Sequence, residues 1–362
     1  MTTGLVGRAA ELAEGVCVVV APPSVLCVAG PAGIGKSRLV AEILADRQVR
    51  TRRVLRGVCL PGSGFPRGPV FEAVRGCGPL RTVPSPVTGA LSAYLPELAA
   101  WLPEALPALP DPAAERHRLF RAVRDLLEAL TPAVLVVEDV QWADDETRCL
   151  LAYLAAHPVD RLSVVVSCRG EPAGLPGEHV ITLSTLDRRA VRELALAIVP
   201  GLAERVLAEL PAHTGGRPDL VVGTVLGLVR TGEDDVAVVE PPDSVRRDTA
   251  RLLAALDAPA RALVETAAVI GVPVAANVLG RAAGIVATDV VAAAVRSGLL
   301  VESGIGRYSV EPGAVRRCVR DQLAAPVLRR AHARALRVLR AEPEQPAARL
   351  AEHARAAGKF SD

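Results

Sequence analysis

Aromatic residues make up only 2% of this 362-residue chain, too few for the stacked-ring surface that grips single-stranded nucleic acid. Lysine is almost missing: of 42 basic residues, only Lys36 and Lys359 are lysines. Acidic residues number 40, so the net charge is +2 and the chain as a whole has no strong field for nucleic acid. The seven cysteines are odd in number and scattered, with no Cys-x-x-Cys pair, and the six histidines show no His-Glu-x-x-His spacing. That pattern reads as buried free thiols in a reducing compartment, not as disulfides or a zinc site. No apolar run reaches the roughly 18–20 residues of a membrane span. The longest candidate, residues 16–29, is interrupted by Pro22, Pro23 and Ser24. The N-terminus lacks a basic segment followed by an apolar one, so the expectation is a cytoplasmic protein without a secretory signal or membrane partner.

Half of the chain is hydrophobic and 23% is charged, the balance of a globular protein long enough for two or three domains. Apolar strand-like runs alternate with helical patterns in the first half, which predicts an α/β fold with a parallel sheet. The expected strands are residues 25–29, 54–57, 134–137, 162–167 and 180–183. Helices are expected at 37–45 and 118–130, the second from the spacing of Leu119, Phe120, Val123, Leu126, Leu127 and Leu130. From Leu186 the pattern turns helical, which predicts a change of domain. Further helices are expected from a cap at Asp243 or Ser244 to near Leu256, then at about 260–269, 275–283 and 289–297. A hairpin about Ser303-Gly304-Ile305-Gly306 follows. Three helices and a hairpin predict a winged-helix domain, and the chain ends in an all-α, Arg-rich stretch.

Gly30-Pro31-Ala32-Gly33-Ile34-Gly35-Lys36-Ser37 fits the phosphate-loop pattern G-x-x-x-x-G-K-S, between an apolar strand and a helix. The glycines let the backbone curl so that its N–H groups face phosphate oxygens. The helix N-terminus adds a dipole that favours negative charge. Lys36 is expected to reach the β- and γ-phosphates and the Ser37 hydroxyl to ligate Mg²⁺, with Arg38 also in the nucleotide-binding set. A chain that otherwise uses arginine has kept lysine here, where a compact ammonium fits between phosphate oxygens and a planar guanidinium would not. The expected ligands are therefore ATP or ADP with Mg²⁺.

Val134-Leu135-Val136-Val137 runs into Glu138-Asp139. Acids at the carboxyl end of a buried strand lie on the edge where α/β proteins bind ligands. One acid can enter the Mg²⁺ shell while its neighbour orients or deprotonates the attacking water. Glu138 is assigned to the metal and Asp139 to the water. Asp144, in Trp142-Ala143-Asp144-Asp145, could support them from behind or cap a helix.

Taken in order, these motifs resemble the STAND signal-transduction ATPases, in particular the large ATP-binding LuxR-type transcriptional regulators. Leu5-Val6-Gly7-Arg8 with Glu11-Leu12 looks like the family's opening hhGRExEL box. The resemblance implies that Val6, Gly7 and Arg8 wrap the adenine and offer an arginine to the nucleotide; Ala9 stands where the family has glutamate. The run 137–144 resembles the extended acidic box "VEDLHWAD". Ser167-Cys168-Arg169 ends a strand where relatives carry a sensor arginine, which implies that Arg169 reads the γ-phosphate. Gly215-Gly216-Arg217-Pro218 resembles the GGxP segment of a helical lid, with Pro218 against the adenine. Relatives place a histidine after the hairpin; here the residues are Val310-Glu311-Pro312.

The organisation implied is a nucleotide-binding domain at 1–184, a helical lid at 185–240, a winged helix at 241–320 and the start of a TPR-like helical region at 321–362. The function implied is an ATP/ADP switch with slow hydrolysis and an output in transcription, activated with self-association or a protein partner. The alternative is a nucleotide-binding scaffold with little turnover. DNA contact is expected only through a C-terminal module outside this chain. The helix at 289–297 is mostly Val and Ala, with few groups that could read bases. A transporter subunit is disfavoured by the lack of an LSGGQ signature.

Overall fold

The computed structural model describes residues 4–62, 65–78, 80, 82–287, 290–342 and 346–358. The chain divides into two compact units, one of residues 2–184 and one that takes up residues 185–362.

The first unit is a three-layer α/β sandwich. Its elements are α1 (Ala9–Val20), β1 (Ser24–Ala29), α2 (Lys36–Ala45), β2 (Arg53–Val58), α3 (Gly68–Arg75), α4 (Pro112–Leu130), β3 (Ala133–Glu138), α5 (Asp145–Ala156), β4 (Leu162–Cys168) and β5 (His179–Thr182). All five strands are parallel, in the order β2-β3-β4-β1-β5. Strand alternation divides the core. Leu26, Val28, Val134, Val136 and Val165 pack under α1 and α2, whereas Cys27, Ala29, Leu135, Val137 and Val166 face α3, α4 and α5. Both faces are therefore covered, which is why every residue of β3 and β4 is buried and β3 reads as an apolar run up to Glu138.

Helix α4 begins at Pro112, six residues before the sequence pattern predicts. Its first turn, Pro-Ala-Ala-Glu, has no large apolar residue and carries no periodic signal. Asp111 supplies the start, accepting from the amides of Ala113 and Ala114, with proline at the first helical position. The cysteine expectation also needs correction. All seven are free, but Cys17 and Cys149 are exposed, on the outward faces of α1 and α5.

The second unit is mostly helical. It contains α6 (Arg188–Ile198), α7 (Glu204–Thr214), α8 (Pro218–Thr231), α9 (Asp243–Ala255), α10 (Ala258–Ile270), β6 (Val274–Ala275), α11 (Ala276–Ala283), α12 (Val290–Arg296), β7 (Val301–Glu302), β8 (Arg307–Ser309), α13 (Gly313–Asp321), α14 (Ala325–Leu339) and α15 (Ala347–Ala356). The hairpin β7–β8 forms about residues 303–306, and β6 adds on the other side of β8 in a small antiparallel sheet. One expectation changes. Helix α9 starts with Asp243 as its first helical residue, after Pro242, without a side-chain cap. The buried stripe of α14 is His332, Ala335, Leu336 and Leu339, while Val327 is exposed. Asp289 and Lys359 lie outside the described residues. Among the described residues, no helix is long and apolar enough to cross a membrane.

This unit holds three histidines in neutral form, His332 and His353 buried and His213 half-buried. Burial, with Arg317 and Arg316 nearby, pushes His213 down to about 4. Burial and the facing His353 push His332 to about 4, and burial lowers His353 too. The Nδ1 atoms of His332 and His353 are 2.9 Å apart, so one donates and the other accepts, an arrangement that protonation of both rings destroys. A folded-state pKa below the unfolded one means that the unfolded chain binds more protons between about 6.5 and about 4. Stability is thus full at neutral pH and falls as pH drops through that window, by roughly 1–3 kcal/mol each for His213 and His332, with His353 acting in the same direction. Thermal unfolding followed at pH 7, 6, 5 and 4.5 should show a falling midpoint, with a shallower slope in His213→Gln; a flat profile would contradict neutral burial.

Candidate functional site

The site is assembled where β1, β3, β4 and β5 end. Beyond Ala29 the chain cannot continue as a strand, because Gly30 (φ 147°), Gly33 (φ 74°) and Gly35 (φ 100°) all take left-handed conformations. A Cβ on Gly30 would lie 2.8 Å from the Leu183 carbonyl oxygen. The loop base is pinned on both sides: the Gly30 amide donates to Cys168 O at 3.3 Å, and the Leu183 amide donates to Ala29 O at 2.9 Å. Ile34 contributes backbone to the loop, while its side chain is buried in the core with Leu39 and Val28. Ala32 is half-buried, and Ser37 is exposed in the first turn of α2. Arg38 pairs with Glu42 at 2.5 Å along the helix.

Lys36 is buried, and its Nζ donates to Gly30 O and Pro31 O, each at 2.9 Å. The ammonium thus lies folded over its own loop. Burial lowers its pKa; the charge of Asp139 pulls the other way and that of Arg169 adds to the lowering. Those two residues are therefore close enough to Lys36 to act on it.

The acidic strand end brings Glu138 and Asp139 to different environments. Glu138, only 5% exposed, accepts from Arg56 Nε at 2.7 Å and also from Arg56 Nη2. Asp139 follows the strand in a left-handed conformation, φ 56° and ψ 45°, rare for a residue other than glycine and a form of strain that concentrates at functional sites. Its amide donates to Ser167 Oγ at 3.1 Å, which fixes it to the end of β4. The Gln141 amide group then bridges two chain segments: Nε2 donates to Asp139 Oδ1 at 3.0 Å, and Oε1 accepts from the Arg169 amide at 3.0 Å. Arg169 Nε lies 3.9 Å from the same Asp139 oxygen. Asp144 is the cap of α5, accepting from the Thr147 amide at 2.9 Å and from its hydroxyl at 2.5 Å. Burial opposes its charge, but the hydrogen bonds from Thr147 outweigh it and hold the carboxyl below its ordinary range.

Of the opening box, Val6 is half-buried and Gly7 exposed at φ 66°. Arg8 is buried, and a buried guanidinium must be paired. It donates to Glu11 Oε1 at 2.9 Å and to the Ser184 carbonyl, one residue past the segment that pins the loop base. Pro218 belongs to the other unit, where it is the first residue of α8 after Gly215 and Gly216. Gly216 allows no side chain, since a Cβ there would meet Leu186 O at 2.2 Å. In Val310-Glu311-Pro312, the segment where the resemblance implies a histidine and none is present, Glu311 accepts from Ser303 Oγ at 3.0 Å and Ser309 Oγ at 2.7 Å.

Sequence reasoning missed Gln141, Ser167 and Arg56. Gln141 lies inside the acidic box and could have been noted there; the other two act across strands, and only the sheet register reveals them. The oxygen donors Ser37 and Glu138 suit a hard cation such as Mg²⁺, which combines one or two protein ligands with phosphate oxygens. Consistent with that division, no group of three or more His, Cys, Asp or Glu residues able to hold a metal alone occurs among the described residues.

Residues 4–167 match the AAA ATPase domain family. An uncharacterized protein of Rhizobium meliloti is 30% identical over 215 residues, 52% of this chain and 20% of that protein. The chain therefore spans about a fifth of the length of the curated relative that it matches. Among solved structures, a Walker-type ATPase of Pyrococcus abyssi superposes with a TM-score of 0.52 at 14% identity, covering 87% of this chain and 96% of that one. A STAND protein with a tetratricopeptide-repeat sensor from Pyrococcus horikoshii covers 98% of this chain and 48% of its own, with a TM-score of 0.41 and 16% identity. The first unit is thus similar in sequence to AAA ATPase domains over residues 4–167 and shares the fold of a Walker-type ATPase, a likeness that points to nucleotide binding.

Proposed function

We propose that this chain is an ATP/ADP-dependent switch of the STAND type, in which the phosphate loop binds nucleotide with Mg²⁺ and the ends of β3 and β4 sense and slowly hydrolyse the γ-phosphate. The observation that carries the reading is the link Asp139–Gln141–Arg169, set close to Lys36. It ties the residue assigned to the attacking water to the residue assigned to the γ-phosphate, so that a change at one is felt by the other.

In this reading Lys36 exchanges its two loop carbonyls for phosphate oxygens, and the loop amides and α2 N-terminus hold the remaining negative charge. Ser37 and Glu138 would hold Mg²⁺, which when bound would offset the negative charge of the phosphates. Asp139, fixed by Ser167 and Gln141, orients the water for in-line attack. Arg8 braces the loop base, and Pro218 and the lid helices close on the base of the nucleotide. Helices α10–α12 with the small sheet serve as a winged helix that packs against protein, since α12 offers mostly Val and Ala. Opening of the switch permits assembly with a second copy or a protein partner, and the output is control of transcription.

A γ-phosphate shifts an equilibrium only through contacts made in one state. Arg169→Ala should therefore leave ADP affinity within about twofold and weaken ATP binding by about tenfold or more. Calorimetric titration with each nucleotide measures this, and equal loss for both would remove Arg169 from the sensor role. A second reading, a nucleotide-held scaffold without turnover, is favoured by Val310-Glu311-Pro312, which lacks the histidine that the resemblance implies there; it predicts tight binding with no phosphate release.

A further inference from the structure

Glu138 and Arg56 meet because of the sheet. Along β3, Val134, Val136 and Glu138 share one face, and the two valines pack there with Leu39, Val40 and Ile43 of α2. The helix that opens with Lys36 and Ser37 therefore covers the face on which Glu138 lies. Strand β2 pairs with β3 in register, Arg56 beside Val136 and Val58 beside Glu138. Arg56 thus shares that face, one diagonal step from Glu138, but on an edge strand whose outer residues Val54, Arg56 and Val58 are exposed.

The pair is asymmetric. Arg56 places two donors on a single oxygen, Glu138 Oε1, at the end of the strand. The glutamate side chain is 7% exposed and cannot reach bulk water, whereas the arginine side chain is 48% exposed and can. A buried carboxylate left without a partner is strongly unfavourable, but two cations competing for one carboxylate repel each other.

We propose that Arg56 is a displaceable counter-ion: it neutralises Glu138 until a divalent cation arrives with nucleotide, then swings to solvent, and so sets the Mg²⁺ concentration at which the site loads. This rests on the metal role proposed above for Glu138. No sequence motif assigns Arg56 a part, and its contribution is to position and compete, not to touch the reacting atoms. By linkage, a partner that stabilises only the Mg²⁺-free state raises the Mg²⁺ required, and its removal lowers it.

The test is ATP binding by the full chain, measured by calorimetry across free Mg²⁺ concentrations and, as each variant's own reference, in EDTA. Arg56→Gln should move the Mg²⁺ midpoint down about three- to tenfold relative to wild type, with Arg56→Lys in between, because an ammonium keeps charge but loses the two-donor hold. Glu138→Gln should raise the midpoint, and Arg56→Gln should have no further effect in that background. Circular dichroism checks each fold, and Arg56→Lys carries the test if Arg56→Gln does not fold. A midpoint that stays or rises in the Arg56 variants, while Glu138→Gln still raises it, overturns the counter-ion and leaves the metal role of Glu138 standing. A midpoint indifferent to Glu138→Gln overturns both.

Discussion

Replacing Lys36 by alanine is expected to weaken ATP and ADP binding by about a hundredfold or more, with the fold retained. Two effects set that magnitude. The ammonium supplies charge-assisted hydrogen bonds to phosphate, each worth about 1.5–3 kcal/mol against a charged partner. It also supplies the one compact positive charge of the loop, in a chain whose other basic residues are almost all arginine. Fold retention follows from what Lys36 now touches. Its two bonds go to loop carbonyls, Gly30 O and Pro31 O, and not to the apolar core around Leu39, Val40 and Ile43. Burial already lowers its pKa, so removal of the charge relieves a desolvation cost. Calorimetric titration reports the affinity and thermal unfolding reports the fold. Unchanged affinity would place the nucleotide elsewhere.

The second large effect belongs to Asp139. Asp139→Asn should leave ATP affinity within a few-fold and reduce phosphate release by about a hundredfold or more, the usual scale for losing a positioned general base. The amide is isosteric, so Gln141 and Ser167 can still hold the turn. Because Gln141 Nε2 donates to Asp139 Oδ1, the asparagine keeps an acceptor there and loses charge but not geometry. Glycine is the wrong control at this position: it would relax the left-handed backbone at φ 56° and confound chemistry with strain. Phosphate release under single-turnover conditions separates the outcomes. If wild type and variant both release nothing, the scaffold reading replaces the hydrolytic one. If both release phosphate at the same rate, Asp139 has no part in positioning water.

The parts of the site that could be read from the sequence are those encoded locally. The phosphate loop is eight consecutive residues, and its glycines declare the backbone conformations that they later adopt. Buried parallel strands announce themselves as apolar runs, as residues 133–137 of β3 and the three valines of β4 do. What the sequence does not display is register. Ser167 reaches Asp139 across 28 residues, and Arg56 reaches Glu138 across 82, because β2, β3 and β4 lie side by side. No local pattern marks either residue. Arg56 in particular looks like an ordinary exposed arginine until strand alternation places it on the face of Glu138. Helix starts without apolar periodicity were illegible for a related reason: α4 owes its first turn to Asp111 and Pro112, which act through caps and fixed φ, not through burial.

Arg8 has structural bonds beside the nucleotide contact that the resemblance implies. The opening box implies an arginine offered to the nucleotide. In the structure that guanidinium is committed to Glu11 and the Ser184 carbonyl. Ser184 directly follows Leu183, whose amide holds Ala29 at the root of the loop, so Arg8 supports the loop from below.

The most direct measurement of the account is to denature the purified chain in acid, separate any released nucleotide by ion exchange, and titrate the emptied, refolded or exchanged protein with MgATP. ATP or ADP at close to one per chain, with saturable heat that disappears in Lys36→Ala, is the predicted result. A chain that carries no nucleotide and gives no heat with MgATP would contradict it, whatever the shape of the loop.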